Sequence, residues 1–293
     1  MRDVAIEPPA TVALASALAT RVVTGIVLIG GILTALFALP TPAFGVVVLL
    51  IVLAAGDEWA KLIGLAQASR AGFALLALAA GAALLWIGTA RGHETVALVA
   101  CGIATLFWIA VGVPSVLRNR LPASRLARAI SAFVVLEGAF VAIVVCRAYS
   151  PWLALAAMAI VWIADTAAYF TGRRFGRHKL APLISPGKTW EGAFGAIVAA
   201  AVYALLLAAF VPRAVYGGTI DAAFVVSAVA FAILLAALSI VGDLHESLLK
   251  RRAGVKDSGA LLPGHGGVLD RIDALLAAMP PAALAATIWL GAP

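Results

Sequence analysis

The sequence predicts an all-α, polytopic integral membrane protein of about nine transmembrane helices, with a polar site facing the cytoplasm. Three observations carry that expectation. Of the 293 residues, 64% are hydrophobic and only 12% are charged; the mean hydropathy is +1.08; and the apolar residues fall in runs suited to crossing about 30 Å of hydrocarbon. No water-soluble core of this size needs so much apolar surface. Residues 1–293 are read as a single integral membrane domain, with helices lacking motifs over 1–150 and the motif-bearing helices and loops over 151–293.

In chain order the expected spans are 22–39, 43–57, 71–90, 95–114, 129–146, 152–171, 193–212, 222–242 and 274–291. The second is the shortest, stopping before Asp57 and Glu58, and Pro40-Thr41-Pro42 marks a tight turn ahead of it. Abundant alanine suits close helix packing in lipid. The opening MRDVAIEPPA mixes acids, a base and prolines, unlike the start of a signal peptide, so the first span is expected to stay as an anchor.

Nine spans place 18 of the 21 Lys and Arg residues on the side of the N-terminus and three on the other. The basic side should be the cytoplasm. That distribution accounts for the net charge of +7, and without a basic patch interleaved with aromatics there is no case for nucleic acid. Cys101 and Cys146 sit in apolar runs with no Cys or His at ligand spacing and are read as small buried hydrophobes. His178 and His245 are read as interfacial groups.

The densest chemistry lies in GDLHESLLKRRAGVKDSGALLPGHGGVLDRID, residues 242–273. If the eighth span continues as a helix past Asp243, then Glu246, Ser247 and Lys250 share its face, and Gly254 is a plausible stop. Gly259, Gly264, Gly266 and Gly267 lack side-chain bulk where backbone N–H groups could approach phosphate oxygens. A new helix near Val268 puts Asp270 and Asp273 on one face of its first turn. These two carboxylates converging with Asp243 would repel one another unless a cation sat between them, and Mg²⁺ suits carboxylates shared with substrate phosphates.

The loop after the sixth span holds a second informative stretch, Ser185-Pro186-Gly187-Lys188-Thr189-Trp190-Glu191-Gly192, preceded by Asp165-Thr166-Ala167-Ala168-Tyr169. Gly187-Lys188-Thr189 is not a P-loop, because Pro182 stands where its first glycine belongs and a membrane span replaces the preceding strand. Ser247-Leu248-Leu249-Lys250 lacks the companion motifs of a serine hydrolase. Glu137 and Asp165 are acids within apolar spans, where a lone charge costs at least ~2.5 kcal/mol, which marks both as functional candidates.

The run Ser247-x-Leu249-Lys250-Arg251, Lys256-Asp257-x-Gly259 and Pro263-x-His265-Gly266-Gly267-Val268-x-Asp270-Arg271-Ile272-Asp273 resembles the signature of the phosphatidate cytidylyltransferase (CDP-diacylglycerol synthase) family. The Ser185–Gly192 stretch and the Asp165…Tyr169 pattern resemble further motifs of that family. The resemblance implies a nucleotidyltransferase that converts phosphatidate and CTP to CDP-diacylglycerol and pyrophosphate for phospholipid biosynthesis. It implies Asp243, Asp270 and Asp273 as Mg²⁺ ligands, a second cation beside that Mg²⁺, and Lys250 and Asp165 as further catalytic groups. Substrate-binding roles are implied for Ser185, Lys188, Thr189, Glu191, Ser247, Arg251, Lys256, Asp257, His265 and Arg271. The expected partners are CTP, phosphatidate, membrane lipids and a second copy of the chain in a homodimer, and the expected location is a bacterial inner membrane. Ala274 departs from the serine common in the family at that position. The competing class is an ion-coupled transporter using intramembrane Glu137 and Asp165.

Overall fold

The structure is a computed structural model; it describes residues 10–210 and 221–290, with side chains described from residue 22 onward. Nine long helical segments make up the described residues: α1 (Ala10–Ala38), α2 (Thr41–Leu62), α3 (Gln67–Arg91), α4 (His93–Leu117), α5 (Arg125–Tyr149), α6 (Pro151–Phe175), α7 (Trp190–Phe210), α8 (Ala222–Ala253) and α9 (Leu269–Leu290). Eight of them are long and apolar enough to cross a membrane, and α1 adds the shorter apolar stretch Val22–Ala38. The chain is therefore an all-α multi-pass membrane protein. Residues 1–9, in the opening stretch, and residues 211–212 and 291, at the ends of two expected spans, lie outside the described residues.

The second helix ends later than expected, and the eighth continues past Asp243 to the stop expected at Gly254. The second helix runs five residues beyond Asp57 because Glu58 is buried rather than placed at a lipid–water boundary. The eighth runs to Ala253, and its 32 residues extend about 48 Å at 1.5 Å per residue, well past a hydrocarbon layer of about 30 Å. Gly254 ends it with a φ of 74°: the Gly254 and Val255 N–H groups donate back to the Arg251 and Lys250 carbonyls, a cap that needs a left-handed residue.

Helix α5 forms the centre, with Ala132, Val135, Leu136, Ala139 and Phe140 almost wholly covered by neighbours that include α2, α4 and α9. At its far end Arg147 donates to the Leu36 and Leu39 carbonyls and so satisfies the C-terminus of α1. Small residues bring the last two helices into backbone contact: a side chain at Gly242 would collide with the Asp273 carbonyl, 2.5 Å away, and with Ala277 and Ala274. The alanine at position 274 belongs to this close crossing.

The segment between α6 and α7 is not a plain loop. Strands β1 (Lys179–Ala181) and β2 (Ser185–Thr189) form an irregular antiparallel hairpin, with Lys179 opposite Thr189 and Ala181 opposite Ser185. Its turn carries Ile184, which is buried against Leu244 and Leu248 of α8. That apolar contact fixes the hairpin over the end of the bundle where α8 leaves the hydrocarbon.

Candidate active site

Two linked clusters occupy this end of the bundle. In the first, hairpin and helix meet through Lys188, whose Nζ lies 2.7 Å from Asp243 Oδ2. Asp165 of α6 and Asp273 of α9 both lie within electrostatic range of Asp243 and Lys188. Ser247 Oγ donates to Asp243 Oδ1 over 3.3 Å. Thus four separate elements supply three carboxylates and one ammonium, and the Gly242 crossing is what brings Asp243 and Asp273 together.

The second cluster surrounds Lys250. Its ammonium sits between Asp270 Oδ1, 2.5 Å away, and Glu246 Oε2, 2.6 Å away. The other Asp270 oxygen accepts from the Ser258 N–H, the Ser258 hydroxyl and the Gly267 N–H, all at 2.9 Å. Asp270 is therefore fully committed to the loop over 254–268. It does not join Asp243 and Asp273 at a shared position, and among the described residues no three carboxylate, imidazole or thiol side chains converge tightly enough to hold a metal by themselves.

Sequence reasoning missed the residue that holds this loop from beneath. Glu58 of α2 is 4% exposed; its carboxylate accepts from the Val268 and Leu269 N–H groups at 3.0 and 2.9 Å and lies 2.8 Å from the Ser258 hydroxyl. A carboxylate delivered from about 200 residues away thus caps α9, where the positive end of the helix dipole favours it. Its only sequence signal was an acid inside what proved to be one continuous helix. The Ser258 hydroxyl lies between Glu58 and Asp270 and ties both carboxylates to one residue of the loop.

The glycines of the loop serve these carboxylates rather than open space. A methyl group at Gly259 would strike Glu58, and one at Gly267 would strike the Ser258 hydroxyl and Glu58. A methyl at Gly266, where φ is 80°, would lie 3.0 Å from Asp270 Oδ2.

The remaining expected residues divide into two groups. Thr189 is buried, and its hydroxyl accepts from the Gly192 N–H at the start of α7. Glu191 accepts from the His178 backbone and lies 2.7 Å from His178 Nδ1, bracing the hairpin's entry. Arg251 donates to the Ile184 carbonyl at the hairpin turn. The His265 backbone closes the glycine turn onto Leu262. These four each make contacts within the fold. In contrast, Ser185 is half-buried at the start of β2, and Lys256, Asp257 and Arg271 are exposed. His245 is no interfacial group: it is 2% exposed and packed among Trp59, Phe107 and Trp108, with ring centroids 5.5–6.3 Å away. Glu137 is buried, and neither of its oxygens has a hydrogen-bond partner.

A helical membrane bundle that gathers carboxylates and cations from four elements at the edge of the hydrocarbon defines a class, the integral membrane enzymes that act on charged substrates at the lipid boundary. Comparison narrows the class. The chain belongs to the cytidylyltransferase family, whose model matches residues 19–289. It is 36% identical to the phosphatidate cytidylyltransferase of Pseudomonas aeruginosa over 92% of this chain and 96% of that one. It is 49% identical to the phosphatidate cytidylyltransferase of Haemophilus influenzae over 44% of this chain and 43% of that protein. The corresponding protein of Brucella suis is 52% identical over 41% of each chain.

Proposed function

We propose that this protein transfers the cytidylyl group of CTP to phosphatidate, forming CDP-diacylglycerol and pyrophosphate in a Mg²⁺-dependent reaction. A phosphate oxygen of phosphatidate attacks the α-phosphorus of CTP, the new P–O bond forms, and the bond to the β-phosphate oxygen breaks as pyrophosphate leaves. The single observation that carries this reading is the Lys188–Asp243 pair, which joins the hairpin motif to the carboxylate cluster in a chain aligned over 92% of its length with a named phosphatidate cytidylyltransferase.

Three carboxylates facing one lysine leave the first cluster short of positive charge, which fits a hard cation. Asp243 and Asp273 would hold Mg²⁺ with Asp165 beside them, and the absence of a third converging ligand among the described residues suits a metal completed by substrate phosphates. When bound, Mg²⁺ neutralises phosphate charge and orients the reacting groups. Asp270, expected as a ligand from the sequence, acts instead by holding the loop.

Lys188 would bind a nucleotide phosphate, and Lys256 and Arg271 would meet the leaving pyrophosphate. No covalent nucleophile is needed, because positioning and electrostatics suffice for phosphoryl-type transfer. Phosphatidate enters sideways between helices so that its acyl chains stay in the bilayer. The site faces the cytoplasm of a bacterial inner membrane, a reading supported by the 18 basic residues on that side.

The transporter reading lacks support, since Asp165 neighbours Asp243 and Lys188 and Glu137 has no polar partner. Purified protein given CTP, phosphatidate and Mg²⁺ should release pyrophosphate only when all three are present. Release that ignores phosphatidate, or none with all three, would sink the proposal.

A further inference from the structure

Beside the active site, on the other flank of the C-terminal end of α8, lies an open cavity of about 390 Å³ lined by Arg120, Leu121, Arg128 and Arg252. Its walls are built rather than incidental. At the end of α4, Asn119 takes a φ of 49°, and the Asn119 and Arg120 N–H groups donate back to Val116 and Ser115. This helix-ending turn fixes where the following arginine starts. Arg252 then donates to the Asn119 carbonyl over 2.5 Å, and Arg128 donates to the Pro122 and Ala123 carbonyls.

These bonds use backbone acceptors and leave every positive charge uncompensated. Among the described residues none of Arg118, Arg120, Arg125, Arg128 and Arg252 pairs with a carboxylate, and residues 113–131 contain no acid. Three guanidinium groups around one cavity repel unless an anion lies between them, and planar guanidinium forks match phosphate oxygens.

The surroundings distinguish a lipid from a soluble anion. Leu121 lines the cavity beside the arginines, and Leu117, which precedes them at the end of α4, is 80% exposed, so the basic recess adjoins outward-facing apolar surface. Basic recesses beside an apolar wall at a helix bundle's interface suit anionic lipid head groups. Leu121 also packs on the Ile184–Leu244–Leu248 cluster that seats the hairpin, which connects this cavity to the element carrying Lys188.

We propose that this cavity binds the phosphate of an anionic phospholipid, as a second lipid site distinct from the one where chemistry occurs. The test measures binding, so it does not depend on the proposed reaction. Full-length protein, delipidated in detergent, is titrated with phosphatidylglycerol or phosphatidylcholine, and bound lipid is counted by native mass spectrometry. One phosphatidylglycerol should be retained in preference to phosphatidylcholine. Arg120→Ala, at an exposed side chain with no described partner, should weaken retention about tenfold, as expected for one lost charge-assisted contact, and Arg120→Ala/Arg252→Ala should abolish it. The charge-matched control Arg174→Ala should leave it unchanged. Equal retention of phosphatidylcholine, wild-type retention by the double variant, or displacement of phosphatidylglycerol by millimolar inorganic phosphate overturns the proposal, the last outcome reassigning the cavity to a soluble phosphate.

Discussion

Replacing Glu58 with Gln tests whether a helix near the N-terminus holds the loop that organises the charged site. The native carboxylate accepts the Val268 and Leu269 N–H groups on different oxygens, and all three residues are buried. A Gln amide keeps one carbonyl oxygen but turns its NH₂ toward an N–H or hydroxyl that needs an acceptor. One buried donor is left unsatisfied, at a cost of about 2 kcal/mol. If that cost falls on the local opening of residues 258–269, amide exchange there should rise ~30-fold while exchange in α5 stays unchanged. Turnover should fall in the same preparation because Asp270 and Lys250 lose their fixed frame. Hydrogen exchange resolved by mass spectrometry measures the first effect and pyrophosphate release the second. Native exchange at Val268 and Leu269 in the Gln variant would refute the claim that Glu58 holds the loop.

Three further outcomes follow from the same geometry. Asp243→Asn and Asp273→Asn should each abolish Mg²⁺-dependent turnover with the loop's exchange unaltered, whereas Asp270→Asn should loosen the loop as well, because Asp270 accepts from the Ser258 and Gly267 N–H groups. Lys188→Met should raise the CTP concentration needed for half-maximal rate by ~10–100-fold, the range for losing a charged hydrogen bond, and a CTP titration reads this directly. Gly267→Ala should lower stability by about 2–3 kcal/mol through overpacking, visible as a reduced melting temperature, while Gly72→Ala, where a methyl meets nothing within 4 Å, should be tolerated.

The spans were legible because hydropathy is a local property, and the stop at Gly254 was legible because a left-handed cap has a local residue preference. The motif residues were legible as a group for the same reason: Asp243, Ser247, Lys250, Asp270 and Asp273 fall within about one short stretch. Their division of labour was not legible. Spacing puts Asp270 and Asp273 on one helical face, but it cannot show that the Ser258 and Gly267 N–H groups and Lys250 together occupy Asp270. Glu58 was hidden for a related reason, since an acid ending an apolar run looks like an interfacial residue until the fold brings the start of α9 to it. The hairpin was missed because a five-residue strand containing Pro186 and Gly187 has almost no strand signature of its own. His245 was misread because a lone histidine on a long polar-tipped helix gives no sign of the three aromatic rings that enclose it.

At Gly242 the two last helices touch with no room for a side chain between them, so neither can slide along the other without a clash. Those two helices therefore work as a fixed anvil. The hairpin between α6 and α7 meets this anvil differently, held to α8 by side chains alone: Ile184, Arg251 and the Lys188 ion pair.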